Sequence, residues 1–134
     1  MPIGSEDQFE GVVDLVAMQE LRFKDESLGL EFELAELTEA LRPQAEEERR
    51  EMLERLSLYD DDLLEKIVEE QKIGQSEIIK VLRTATLDGQ ITPVLCGSAF
   101  KNKGVQQVID AVVHYLPSPL DVPPVEGDLS LIHI

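Results

Sequence analysis

The sequence has one cysteine, Cys96, no tryptophan, two histidines and only six other aromatic residues among its 134 positions. A lone cysteine forms no internal disulfide, which fits a reducing, cytoplasmic setting. No apolar run approaches the roughly 18 residues needed to cross a bilayer, and no basic-then-apolar leader opens the chain, so no membrane association is expected. Positive charge is scarce: 12 basic residues face 28 acidic ones, a formal net charge of −16. Such a surface repels polyanions. It argues against unassisted DNA or lipid binding and favours a basic protein partner. The glycine signatures of phosphate cradles, G-x-x-x-x-G-K-[ST] and G-x-G-x-x-G, are missing as well. What is present is 43% hydrophobic residues, enough for the core of one domain or of a piece of one.

The acidity is uneven. Residues 1–83 hold 23 acids and 10 bases, whereas the rest holds 5 and 2. The first part opens with Gly11-Val12-Val13-Asp14-Leu15-Val16, a β-branched run that predicts a strand continuing towards Phe23. From Leu30 to Leu34 apolar and acidic residues alternate, the pattern of a strand with one buried face. The polar residues Lys24 to Ser27 between the two runs could close a hairpin. Helices follow. Pro43 suits a first turn, with Glu46, Glu47 and Glu48 near the positive helix end and Met52, Leu53, Leu56 and Tyr59 on one face. Asp60-Asp61-Asp62 can cap a second helix with Leu63, Leu64, Ile67 and Val68 inward, stopped by Gly74. Ser76 can cap a third, with Ile78, Ile79, Leu82 and Ala85 inward.

The second part is patterned differently. Ile91-Thr92-Pro93-Val94-Leu95-Cys96 contains no acid and predicts a strand covered on both faces, weakened by Pro93. A polar loop leads to Val105, Val108, Ile109, Val112, Val113 and Leu116, a regular helical stripe ended by Pro117 and Pro119. Strand, loop and helix form half of a βαβ unit, the end of a larger sheet domain. A stripe without that sheet is expected to dock loosely or to associate with other copies.

No catalytic constellation emerges, and no metal site. His114 and His133 lack partners at ligand spacing, and Asp60 to Asp62 lack the alternation and central glycine of a calcium loop, which leaves helix capping. Cys96 has no basic neighbour in sequence and reads as a small core residue. Glu46, Glu47, Glu51 and Glu54 read first as a solvated face, and second as a docking surface for a basic partner.

The string Gly97-Ser98-Ala99-Phe100-Lys101-Asn102-Lys103-Gly104-Val105-Gln106, with the apolar helix and Leu116-Pro117-Ser118-Pro119 after it, resembles the SA loop of the elongation factor G family of translational GTPases. The opening Pro2-Ile3-Gly4, then Phe9-x-Gly11-Val12-Val13-Asp14-Leu15-Val16-x-Met18, is similar to the start of that family's G-prime insertion. The resemblance implies an α+β fold: a small sheet plus amphipathic helices at 1–90, joined at 91–119 to the last strand and helix of an α/β P-loop-type GTPase domain. Residues 120–128 read as a linker.

It further implies that Ser98, Ala99 and Phe100 are guanine-contacting positions. Asn102-Lys103-Gly104-Val105 is not the base-reading NKxD motif, because Val105 stands in place of its Asp. By resemblance, the parent protein uses GTP and magnesium to drive translocation on the ribosome, and the acidic helix at 43–58 meets the basic C-terminal domain of the ribosomal stalk protein. The fragment itself is expected to carry neither cofactor nor catalysis. Two alternatives stand beside this: a paralogous GTPase (recycling, ribosomal-protection or release-factor) and a free-standing acidic adaptor. The ending Leu129-Ser130-Leu131-Ile132-His133-Ile134 departs from the family and looks like a translated sequencing adapter, so 129–134 is expected to be a non-native tail.

Overall fold

The β-branched and apolar residues near the N-terminus pair into a sheet, and the acidic, leucine-punctuated stretch after them coils into helices. The computed structural model describes residues 1–24 and 31–124. Four antiparallel strands, β1 (Pro2–Ile3), β2 (Gly11–Asp14), β3 (Gln19–Phe23) and β4 (Phe32–Glu36), lie in the order β1-β2-β3-β4. Four α-helices follow: α1 (Arg42–Leu56), α2 (Asp61–Val68), α3 (Gln75–Leu87) and α4 (Val105–Tyr115). The α+β class is as expected.

The strand expected to run from Gly11 towards Phe23 is instead a hairpin. Asp14 folds it: its Oδ1 accepts from the backbone N–H groups of Val16 (2.8 Å) and Ala17 (3.1 Å). Met18 closes the turn at φ 56°, a position where glycine is the usual signal. The expected β3–β4 pairing is present, with Leu21 opposite Leu34 and Phe23 opposite Phe32. The residues joining them, 25–30, lie outside the described residues. Period-2 alternation did mark β4, but its apolar face is not buried: Phe32 and Leu34 are 37% and 61% exposed. β4 is an edge strand, and burial on that face stops at its β3 partners Leu21 and Phe23, which are buried.

Two apolar clusters form the core. Ile3, Val13 and Leu37 gather around Ala45 of α1, while Leu56, Leu63, Ile78 and Val81 join α1, α2 and α3. Pro43 does lie in the first turn of α1, but the helix starts at Arg42, so Glu46, Glu47 and Glu48 fall beyond that turn. Asp60 caps α2 as expected, accepting from Leu63 N at 2.8 Å. Gly74 does not stop it. The left-handed Glu70 (φ 54°) does, with Gln71 N donating to Lys66 O and Glu70 N to Ile67 O. Gly74 takes the N-cap position of α3, which leaves Ser76 inside the first turn rather than capping it.

The segment 91–96 forms no strand, a correction to the strand expected there. A strand exists only through its neighbours' hydrogen bonds, and among the described residues the one sheet does not reach it. Val94 is 87% exposed, and Cys96 is exposed rather than buried in a core. The stripe of α4 is likewise open. Ile109 and Val113 are 58% and 71% exposed, and only Ala111 of this helix is buried.

One acid lies inside. Glu20 of β3 is fully buried, with Oε1 accepting from Thr38 N (2.7 Å) and Oε2 from Arg22 Nε (2.9 Å). Burial pushes its pKa up, but the Thr38 and Arg22 hydrogen bonds outweigh this and hold it below the usual 4.5. A carboxylate with a depressed native pKa contributes stability that is complete above 4.5 and is lost as pH falls through the native value. Glu20→Leu orphans the Thr38 N–H and should lower unfolding stability by about 2 kcal/mol at pH 7 in urea titrations. The deficit should hold constant down to about pH 5 and shrink below that.

Candidate functional site

The loop between 91–96 and α4 is a tight, self-bonded knuckle. Ser98 and Lys103 bridge each other, with Ser98 N donating to Lys103 O (2.8 Å) and Lys103 N to Ser98 O (3.0 Å). Between them Ala99–Lys101 forms a single 3-10 turn, and Asn102 reverses the chain in the left-handed region at φ 53°. The neck of the knuckle is made of glycine. A Cβ on Gly97 would lie 2.7 Å from Lys103 O, and one on Gly104, itself at φ 83°, would lie 3.0 Å from Cys96 O. This construction leaves the tip bare: Phe100 is 97% exposed. A helical turn leaves its first N–H groups without an internal acceptor, here those of Ala99 and Phe100. Ser98, Ala99 and Phe100 are thus adjacent on one presented turn.

Lys103 is the residue that the sequence reading passed over as a site. It is 6% exposed, and its Nζ donates to the carbonyl of Phe9 at 2.9 Å. The bond joins the knuckle to the β1–β2 connection, whose Phe9 ring lies 6.0 Å from that of Phe23. Arg83 of α3 does the equivalent at the other end of α4. Its Nη1 donates to the carbonyls of Val113, His114 and Leu116, and its Nη2 to Asp121. Ser118 in turn donates to Asp121 from its backbone N–H and its hydroxyl, which holds the Asp121 pKa below its usual value. No local sequence signal marks either cation, since each acts on a carbonyl far away along the chain.

The acidic candidates are apart from this loop, on α1. Glu46, Glu47, Glu51 and Glu54 are all exposed, consistent with either reading of them. Their helix is more mixed in charge than its acidity promised, with five acids and four arginines between Arg42 and Leu56. Glu47 pairs with Arg50 at 2.5 Å. Arg49 turns away from the acids and donates to the carbonyls of Leu15 (2.6 Å) and Val16 (2.7 Å); burial lowers its pKa, opposed by nearby Asp14.

The turn presents N–H groups that can donate and a Phe100 ring that can stack, and the sequence has no phosphate-cradling string. Among the described residues no three His, Cys, Asp or Glu side chains come together to hold a metal, and no described helix is long and apolar enough to cross a membrane. His114 is exposed and without ligand geometry, while His133 and the expected tail lie outside the described residues.

No family model matches the chain. Elongation factor G of Aquifex pyrophilus is 47% identical over 127 residues, which is 95% of this chain and 18% of that protein. Elongation factor G of Thermotoga maritima is 49% identical over the same coverage. The chain therefore spans about a fifth of the length of the curated relatives it matches. A crystal structure of a protein from Thermus thermophilus superposes with a TM-score of 0.73 at 25% identity, covering 90% of this chain and 18% of that one.

The Lys103 bond makes a measurable demand. Lys103→Met keeps the buried stem but removes the donor to Phe9 O, and should lower stability by about 1–3 kcal/mol. Hydrogen exchange should speed up at the Ser98 and Lys103 amides before it does in α1. Unchanged exchange at the knuckle would show that the Phe9 contact does not hold it.

Proposed function

This chain is homologous along nearly all of its length to one segment of elongation factor G, and we propose that it serves as the corresponding segment of a translational GTPase that moves transfer RNA and messenger RNA through the ribosome. In this reading the sheet and α1–α3 are the G-prime insertion, and 91–119 is the end of the GTP-binding domain. The observation that carries it is the alignment itself, which runs at 47–49% identity through 95% of the chain.

The knuckle would shape the guanine pocket, with Ala99 and Phe100 offering backbone N–H groups and Ser98 fixing the turn. GTP with magnesium supplies the hydrolysable bond in such proteins, and other segments would grip its phosphates. The exposed acids Glu46, Glu47, Glu51 and Glu54 would meet the basic C-terminal domain of the ribosomal stalk. Exposed ion pairs contribute ~0–1 kcal/mol each, so that contact is weak, fast and salt-sensitive. A cytoplasmic location follows from the same reading.

A chimera tests the central reading. Elongation factor G of Thermotoga maritima with its matching segment replaced by residues 2–127 of this chain should retain ribosome-stimulated GTP hydrolysis. A folded but inactive chimera would count against it. The isolated 134-residue chain should give no heat with GTP or GDP in calorimetry, and a low-micromolar dissociation constant would overturn the assignment of the phosphate grip to other segments. Charge reversal at Glu46, Glu47, Glu51 and Glu54 should weaken binding of the isolated stalk domain about tenfold at low salt.

A further inference from the structure

Lys103 closes the knuckle with its backbone and anchors it with its side chain. Its N–H and C=O are both bonded to Ser98, at 3.0 and 2.8 Å, while its buried Nζ reaches Phe9 O at 2.9 Å. Ser98 is the residue from which the presented turn starts. The anchor is therefore one backbone bridge away from the Ala99 and Phe100 N–H groups. Phe9 is a firm post for it. Its N–H donates to Glu6 O, its ring meets that of Phe23, and beside it Phe23 N donates to Glu10 O at 3.0 Å. Phe23 also lies against the neck, its Cζ 3.8 Å from where a Cβ on Gly104 would stand.

Bonds inside the knuckle fix its shape but not where it stands. The run 91–96 leading into it forms no strand, so no ladder holds that side. On the other side α4 is secured by Arg83 at its far end. Eleven helical residues separate that end from the knuckle, a length of about 16 Å. A tilt of a few degrees there would carry the turn by about an ångström, enough to spoil a hydrogen bond. A second tie, Lys101 with Asp7 at 4.0 Å, is exposed and holds little.

We propose that Lys103 is a positioning residue for the presented turn: its bond to Phe9 sets where the Ala99 and Phe100 N–H groups stand, and so how tightly a guanine nucleotide is held. This rests on the reading in which the knuckle shapes the guanine pocket. In that reading the phosphate grip and hydrolysis belong to other segments, so Lys103 acts on nucleotide affinity and not on turnover.

The test uses the chimera carrying residues 2–127. Lys103→Met should raise KM for GTP and the dissociation constant for GDP about tenfold, with ribosome-stimulated kcat held within about twofold. A loss of folded protein would do the reverse, lowering apparent kcat at unchanged KM, and KM is read on whatever fraction folds. Lys103→Arg, which keeps a donor for Phe9 O, should restore most of the affinity. Asp7→Asn, which removes only the exposed pair, should leave both constants unchanged. Unchanged GDP affinity in Lys103→Met, a fall in kcat alone, or no rescue by arginine would overturn the proposal and leave the translational reading standing. An equal loss of affinity in Asp7→Asn would overturn it too. A chimera with Lys103 intact that binds no GDP would overturn both.

Discussion

Three cations fasten this structure by bonding backbone carbonyls, Lys103 buried and Arg49 and Arg83 half-buried. Arg49 holds α1 to the β2–β3 turn through the carbonyls of Leu15 and Val16, Lys103 holds the knuckle to Phe9, and Arg83 holds the end of α4 through three carbonyls. Arg83 also pairs with Asp121, at 2.8 Å. Carbonyls at turns and helix ends are the groups that regular structure leaves without donors. Satisfying them fixes backbone to backbone, whereas a surface ion pair fixes only two flexible side chains. Most of the acids stay at the surface, whereas Glu20 is buried and Glu77 and Asp121 pair with cations.

That arrangement sets how the two parts of the chain meet. The knuckle and α4 share only a narrow core with the first part, since α4 runs along α3 and buries Ala111 while most of its stripe is open. They are also held at both ends, by Lys103 at the start of the helix and Arg83 at its close. The presented turn Ser98–Phe100 thereby keeps a fixed position relative to the first part without being packed into it.

Helices were legible because their signal is local. Pro43, the Asp60 cap and the apolar spacing of α3 and α4 each act within a few residues of where they are written. The sheet was less so. The β2–β3 hairpin turns on an Asp14 side chain and a left-handed Met18 rather than on glycine, so it read as one strand. The alternation of β4 gave its strand but not its burial, because burial belongs to whatever lies opposite. The run 91–96 has strand composition but no neighbours, and exposed Cys96 follows from that. Of the site, Ser98, Ala99 and Phe100 came from the resemblance of the string. Lys103 could not have been found that way, since its partner Phe9 lies 94 positions earlier.

The glycine neck of the knuckle has a consequence for how this segment can diversify. A Cβ on Gly97 would strike a carbonyl oxygen, and one on Gly104 would press on another at a φ of 83° that side chains rarely adopt, so a change at either residue strains the neck. The tip is under no such restriction, since Phe100 touches almost nothing in its own chain. A library randomised across this loop would thus sort itself into invariant hinges and a freely varied crown, and any constraint found on the crown would have to be imposed from outside the segment.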